Sequence, residues 1–480
     1  MLRPSLGVVL LAVLASAQTV PTHPNLAYAN LGGTDLELDL YLPTSGSGPF
    51  PVVLWLHGGG WSGGSRFPLP EEAAQLVELG IAVASVDYRL TRDDVLYPGF
   101  PVTFPAQIHD VKGAVRWLRA HATQYGLDPA RFGAFGRSAG GHLAALLATS
   151  GGVSALEGTT GGNASSSSAV QAAADWFGPT DVLQLDPDFT DPPGQLAWYD
   201  PPGSAASHLI GFDQPNEGVG VLRLHVDDPN APYPYYLALA RAANPATWAD
   251  VNDPPLLVAH GSEDTTVPMH QSERLVAALD AAHAPVTWVR ALGYGHDLDG
   301  AHALTVALFF RQRFFGACEV ESTCAAHTPS NVCPCGNVGG VGHGCANSLP
   351  WSDGASLVAG GAEASSLTLQ ALGVPSTAGC IVLQGDATTT PLAWGDGQRC
   401  LGGTLVRIAY VQAQAGAARF PEPALGDPPI QVRSAQRGAP IPPGATRHYQ
   451  VHYRNSATAF CPAPAGGTFN ATNAVRVVWP

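Results

Sequence analysis

RFGAFGRSAGGHLAALLATS, residues 131–150, sets a serine among glycines where a short apolar run meets a strongly helix-forming one. A strand followed at once by a helix, with one sharp turn at Ser138, projects the hydroxyl beyond the end of a sheet. The helix N-terminus, the positive end of the helix dipole, then lies beneath any negative charge that develops there. Gly136 and Gly140 fit this reading, because a strained turn and a tight helix crossing leave no room for a Cβ. The same spacing occurs at Gly60-Trp61-Ser62-Gly63-Gly64, but Ser62 is followed by GGSRFPLP, which cannot begin a regular helix.

Outward from Ser138, short apolar runs alternate with amphipathic stretches: PVVLWLH at 51–57, IAVASVDY at 81–88, RFGAF at 131–135, PPLLVAHG at 254–261 and PVTWVRALG at 285–293. In the stretch Phe104–Tyr125, Ile108, Val111, Val115, Trp117 and Leu118 recur at helical spacing. Strands buried on both faces and alternating with helices predict an α/β domain with a mostly parallel central sheet, over residues 18–316. Within it, 178–253 is rich in Pro and aromatic residues with little periodicity, and reads as a lid or binding wall. All eight cysteines follow residue 317. Short alternating runs such as CIVLQG and TLVRIAYVQ follow them, so 334–480 reads as an all-β, disulfide-stapled module without helices, joined by a Cys-containing linker at 317–333. CPCGNVGGVGHGC at 333–345 also has the residue types of a zinc site, but disulfides suit an exported chain better.

MLRPSLGVVLLAVLASAQ opens the chain with one Arg, an apolar run and Ala15-Ser16-Ala17, the layout of a secretory signal spanning residues 1–17. The run is shorter than the roughly 20 residues of a membrane span, which disfavours an uncleaved anchor. A secreted, periplasmic or cell-surface location is therefore expected. With 23 Lys+Arg against 38 Asp+Glu and a net charge of -15, there is no broad cationic surface to attract nucleic acid.

A serine hydroxyl needs a base, and the base needs an acid to orient it. In the order Ser, Asp, His, each on a loop after a later strand, the candidates are Asp264 in HGSEDTTVP and His296 in GYGHD. Glu263 is the rival acid, and His109, His142, His260 and His302 are rival bases. HGGGW at 57–61 supplies backbone N–H groups on a loop that can approach closely, so Gly59, Gly60 and the Ala139 amide are the expected oxyanion donors. Trp61, His142, Trp198 and Tyr199 are candidate substrate contacts, and Trp351, Trp394 and Trp479 of the second module would stack on sugars if exposed, although each reads first as a core residue.

HGGGWSGGSR, DYRL at 87–90, the long segment from Phe104 through GRSAGGHLAALLATSG, DPPLLVAHGSEDTTVP and GYGHD together resemble the secreted carboxylesterases of the α/β-hydrolase superfamily. The likeness is to its hormone-sensitive-lipase-like and bacterial feruloyl- and acetyl-esterase-like branch, over residues 30–315. It implies the α/β-hydrolase fold, a Ser138/Asp264/His296 triad, no cofactor or metal, and ester substrates such as acetyl or feruloyl esters of polysaccharides. Attachment to a cell surface or matrix through 334–480 is a further expectation. Two other readings stay open: a secreted peptidase of prolyl-oligopeptidase type, which shares elbow and triad order, and an adhesive protein whose hydrolase domain is inactive.

Overall fold

The computed structural model describes residues 20–44, 48–189, 198–315, 319–323, 333–334, 336–339, 343–349, 354–360, 367–455, 460 and 468–479. The expected leader, 1–17, lies outside them. Eight strands form one sheet: β1 (His23–Leu31), β2 (Thr34–Tyr41), β3 (Phe50–Leu56), β4 (Ala82–Val86), β5 (Leu127–Arg137), β6 (Ala172–Trp176), β7 (Leu256–Gly261) and β8 (Val286–Ala291). Their order is β1-β2-β4-β3-β5-β6-β7-β8. β1 and β2 join antiparallel, and β4, β3, β5, β6, β7 and β8 run parallel.

The continuous apolar runs have the predicted cause. Along β3, Val52, Leu54 and Leu56 pack into one core and Val53 and Trp55 into another on the opposite face of the sheet. The first core is covered by the helices Ala106–Ala120, Ala139–Thr149 and His270–Ala281, the second by Glu71–Glu78 and Gly300–Phe315. The pattern read over Phe104–Tyr125 becomes Ala106–Ala120 and a four-residue turn of helix, Ala122–Tyr125.

Residues 178–253 are not the irregular loop their composition predicted. Helices Ala205–Ile210, Val219–Leu224 and Tyr233–Ala243 lie there, and Leu209, Ile210, Phe212, Leu222 and Leu237 are buried in the first core. Each helix is too short to display a clear period, so packing rather than local propensity determines it.

The cysteine-bearing part is antiparallel β, as expected. A three-stranded sheet joins Ser356–Gly360, Thr368–Leu372 and Ala417–Phe420. A five-stranded sheet runs in the order Val406–Gln412, Gly379–Gly385, Thr446–Arg454, Phe469–Val478 and Glu319–Thr323. Three expectations are corrected. The stretch 317–333 is not all linker, because Glu319–Thr323 pairs with Phe469–Val478 as an edge strand. The module holds a helix, Ile430–Gln436, too short for sequence periodicity to reveal. Disulfide pairing does not take every cysteine: Cys333 joins Cys345 and Cys400 is disulfide-bonded, whereas Cys380 is a buried free thiol whose pKa burial pushes up to about 12. The Cys333–Cys345 bond uses two of the thiols that a zinc site would have needed. Surface attachment gains no support from the tryptophans, since Trp479 is completely buried, Trp394 packs against His452 and Arg399, and Trp351 lies outside the described residues.

The module is packed on the α/β domain. Leu372 belongs to the same core as Phe309 and Phe310, and Gln370 Nε2 donates to the Ala301 carbonyl at 3.1 Å. Leu372→Ala is therefore expected to cost about 2–5 kcal/mol, as a large-to-small change in a shared core does, and to lower the denaturant midpoint. A loss under about 0.5 kcal/mol, the usual surface value, would mean that the module sits free of the α/β domain.

Candidate active site

Ser138 stands between β5 and the helix Ala139–Thr149 with φ 54° and ψ -125°, a left-handed conformation that costs energy for a residue with a Cβ. Neighbouring backbone holds it there. A Cβ on Gly140 would collide with the Leu56 carbonyl, and one on Gly136 with the backbone of Gly140. The Ser138 amide donates to the Trp176 carbonyl at 2.8 Å, which fastens the turn to the end of β6.

Asp264 and His296 meet as the order of motifs predicted: His296 Nδ1–H donates to Asp264 Oδ2 at 2.6 Å. Glu263, the rival acid, is not the residue in this bond. Asp264 is held more firmly than the sequence indicated. Its Oδ1 accepts the amides of Thr266 and Val267 at 2.8 and 3.0 Å, and His260 Nε2 lies 3.1 Å from its Oδ2. Burial alone would raise the carboxyl pKa, but the hydrogen bonds from His260 and His296 outweigh it and hold the group well below the usual carboxylate range.

His260 is thus a rival base with a different place. It is completely buried, its Nε2 faces the Val267 carbonyl at 2.9 Å and its Nδ1 faces Ser272 Oγ at 2.7 Å. A carbonyl can only accept, so Nε2 carries the proton and Nδ1 accepts from the serine. The position of His260 four residues before Asp264 was the available signal. The other rivals are also engaged away from Ser138: His109 with the Ala155 carbonyl and His302 with Asp299.

Ser138 and His296 line one open cleft of about 800 Å³ with Gly58, Gly59, Gly60, Arg137, Phe177, Thr266 and Asp297. Ser138 Oγ makes no hydrogen bond among the described residues, and it faces the cleft with the imidazole. The loop carrying Gly59 and Gly60 is clamped from below. Tyr88 stacks on His57 with ring centroids 4.4 Å apart, and its hydroxyl donates to the His57 carbonyl at 2.8 Å. The amides of Gly59 and Gly60 have no protein acceptor among the described residues, and the Ala139 amide heads the elbow helix.

The proposed substrate contacts are corrected. Trp61 and His142 are buried beneath the cleft, where Trp61 Nε1 donates to His142 Nδ1 at 3.0 Å and His142 Nε2 donates to the Ala243 carbonyl at 2.7 Å. Burial pushes the His142 pKa down to about 4, so it is a neutral packing residue. Trp198 is exposed, and Tyr199 uses its hydroxyl to donate to the Thr266 carbonyl at 2.9 Å, tying the insertion to the Asp264 loop. Neither is among the residues lining the cleft.

Asp175, unremarked in the sequence, lies at the end of β6 under the elbow helix. It is completely buried, its Oδ1 accepts the Gly178 amide at 2.9 Å and its Oδ2 has no partner. Burial lifts its pKa to about 7.

Comparison with known proteins agrees with this geometry. Residues 38–217 and 230–279 match the BD-FAE family model. The chain is 32% identical over 252 residues to esterase LipQ of Mycobacterium tuberculosis, covering 52% of this chain and 50% of that protein. It is 40% identical over 118 residues to carboxylesterase NlhH of the same organism, covering 24% and 34%. The chain thus spans half or less of the length of these relatives. Among solved structures, a truncated carbohydrate esterase from gut microbiota aligns with a TM-score of 0.51 at 26% identity, over 62% of this chain and 98% of that one.

The pH response follows from Asp175. Its folded pKa is raised from the usual 3.9 or so to about 7, so the stability of the neutral form is present at low pH and is lost as pH rises through that window. Asp175→Asn should stabilise the protein more at pH 8 than at pH 5, by on the order of 2 kcal/mol, measured as denaturant midpoints at both pH values. An equal effect at both would show that the carboxyl is already ionised at pH 5. The segment that carries the site has the α/β-hydrolase fold and is similar to carboxylic ester hydrolases.

Proposed function

We propose that the protein is a secreted serine carboxylesterase that hydrolyses acetyl or feruloyl esters of polysaccharides. The observation that carries this reading is the 2.6 Å bond from His296 to Asp264, with His296 lining the same cleft as Ser138, whose backbone is strained at φ 54°. Ser138 Oγ attacks the ester carbonyl while His296 Nε2 takes its proton. Asp264 keeps Nδ1 protonated and stabilises the imidazolium that forms. Nucleophile–base bonds are often long until substrate is present and tighten in the reacting complex. The amides of Gly59, Gly60 and Ala139 receive the oxyanion, each worth about 3–4 kcal/mol in the transition state. His296 then returns its proton to the departing alcohol oxygen, and water activated by the same imidazole releases the acid from the serine ester.

The substrate class rests on the likeness to a carbohydrate esterase and on the volume of the open cleft. Export rests on the leader pattern of residues 1–17.

Ser138→Ala is expected to abolish hydrolysis of p-nitrophenyl acetate, assayed in cell-free medium after expression of the full chain. Activity that persists would remove the triad, and activity found only inside cells would remove export. Release of proline-linked peptides without ester cleavage would put a peptidase in its place. His260→Phe deletes one donor on Asp264 and should lower kcat/KM at least about tenfold, some 1.4 kcal/mol, while His260→Gln, which restores an N–H near the position of Nε2, should recover part of it. A wild-type rate in the Phe variant would show that His260 does no more than fill space.

A further inference from the structure

The wall of the cleft beside His296 is charged. Arg137 precedes the nucleophile and Asp297 follows the base, so the backbone that places the reacting atoms also places these two side chains at the cleft. The Arg137 side chain is 45% exposed and spends one guanidinium N–H on Glu72 Oε1, at 3.3 Å. Its remaining donors have no acceptor among the described residues. Asp297 is exposed, and its Oδ1 takes only the neighbouring Leu298 amide at 3.0 Å. Phe67, 52% exposed, also lines the cleft.

The direction of the reaction assigns this wall to the alcohol half of the substrate. The departing oxygen must lie within hydrogen-bond reach of His296 Nε2 to receive its proton, so the alcohol extends past His296 towards Asp297. We propose that Arg137, Asp297 and Phe67 form a subsite for a neutral sugar bearing the ester, a proposal that rests on the esterase reading above. The planar fork of Arg137 donates to vicinal hydroxyl oxygens, the Asp297 carboxylate accepts from hydroxyl groups, and the Phe67 ring offers an apolar face to the sugar C–H groups. A uronic acid carboxylate would find Arg137 but would also meet Asp297 and Glu72, so a neutral sugar suits the charge pattern better. A site that hydrogen-bonds hydroxyl groups discriminates strongly against partners lacking them, because its polar groups are then left unpaired.

The test compares kcat/KM for acetylated xylo-oligosaccharide with that for p-nitrophenyl acetate in the full-length protein. The ratio of the two should fall at least tenfold in Arg137→Ala and in Asp297→Asn, and by an intermediate factor in Arg137→Lys, which keeps the charge but loses the fork. A ratio that stays constant while both substrates slow together would overturn the proposal, as would a wild-type enzyme that prefers esters of uronic acids. These outcomes are separable from failure of the esterase reading, which would appear as p-nitrophenyl acetate hydrolysis surviving in Ser138→Ala.

Discussion

The structure depends on one close approach: the first turn of the helix Ala139–Thr149 lies against the carbonyl end of β3, where only the hydrogen of Gly140 fits beside the Leu56 oxygen. That contact fixes the helix on the sheet, and the helix in turn forces Ser138 into a left-handed conformation. The cost of that backbone, about 1–3 kcal/mol for such a residue, is borne by the packing around it, in which every residue of the elbow helix is buried. The result is a hydroxyl held at the rim by rigid elements. The loop carrying Gly59 and Gly60 follows β3 directly, so the same strand that receives Gly140 also delivers both glycines to the cleft.

Around this fixed point the polar groups form tiers. Asp264 is saturated by two amides and two imidazoles, leaving it no freedom to rotate away from His296. Tyr88 and His57 brace the loop carrying Gly59 and Gly60 as His260 and Ser272 brace Asp264. Asp175 is different, a carboxyl under the elbow with one amide for company, where burial disfavours the charged form. The site is thus rigid where charge develops and open only where substrate must enter.

What the sequence made legible follows physical scale. Ser138, Asp264 and His296 sit on loops whose flanking strands are strongly apolar, so period and order located them before any coordinates. β6 was not legible, because AAADW has little of the β-branched character that marks strands, and its neighbours in the sheet determine its conformation. Trp61 and His142 were read as substrate contacts since aromatic residues near a motif look functional, yet the turn points both inward and lets them satisfy each other. His260 and Asp175 were missed in their actual places because a supporting hydrogen bond joins residues by geometry that no spacing rule encodes. In the second module the strands alternated visibly, but 317–333 read as linker, whereas backbone pairing makes Glu319–Thr323 an edge strand of the module.

That edge strand has a consequence for how the chain is made. Glu319–Thr323 leaves the ribosome shortly after the helix Gly300–Phe315, but its partner, Phe469–Val478, follows much later in the chain. Until Phe469–Val478 has been made, the backbone donors and acceptors of Glu319–Thr323 that it will take stand unmatched, an invitation to pair with another nascent chain. Emergence of that distant strand is therefore the event that covers the edge.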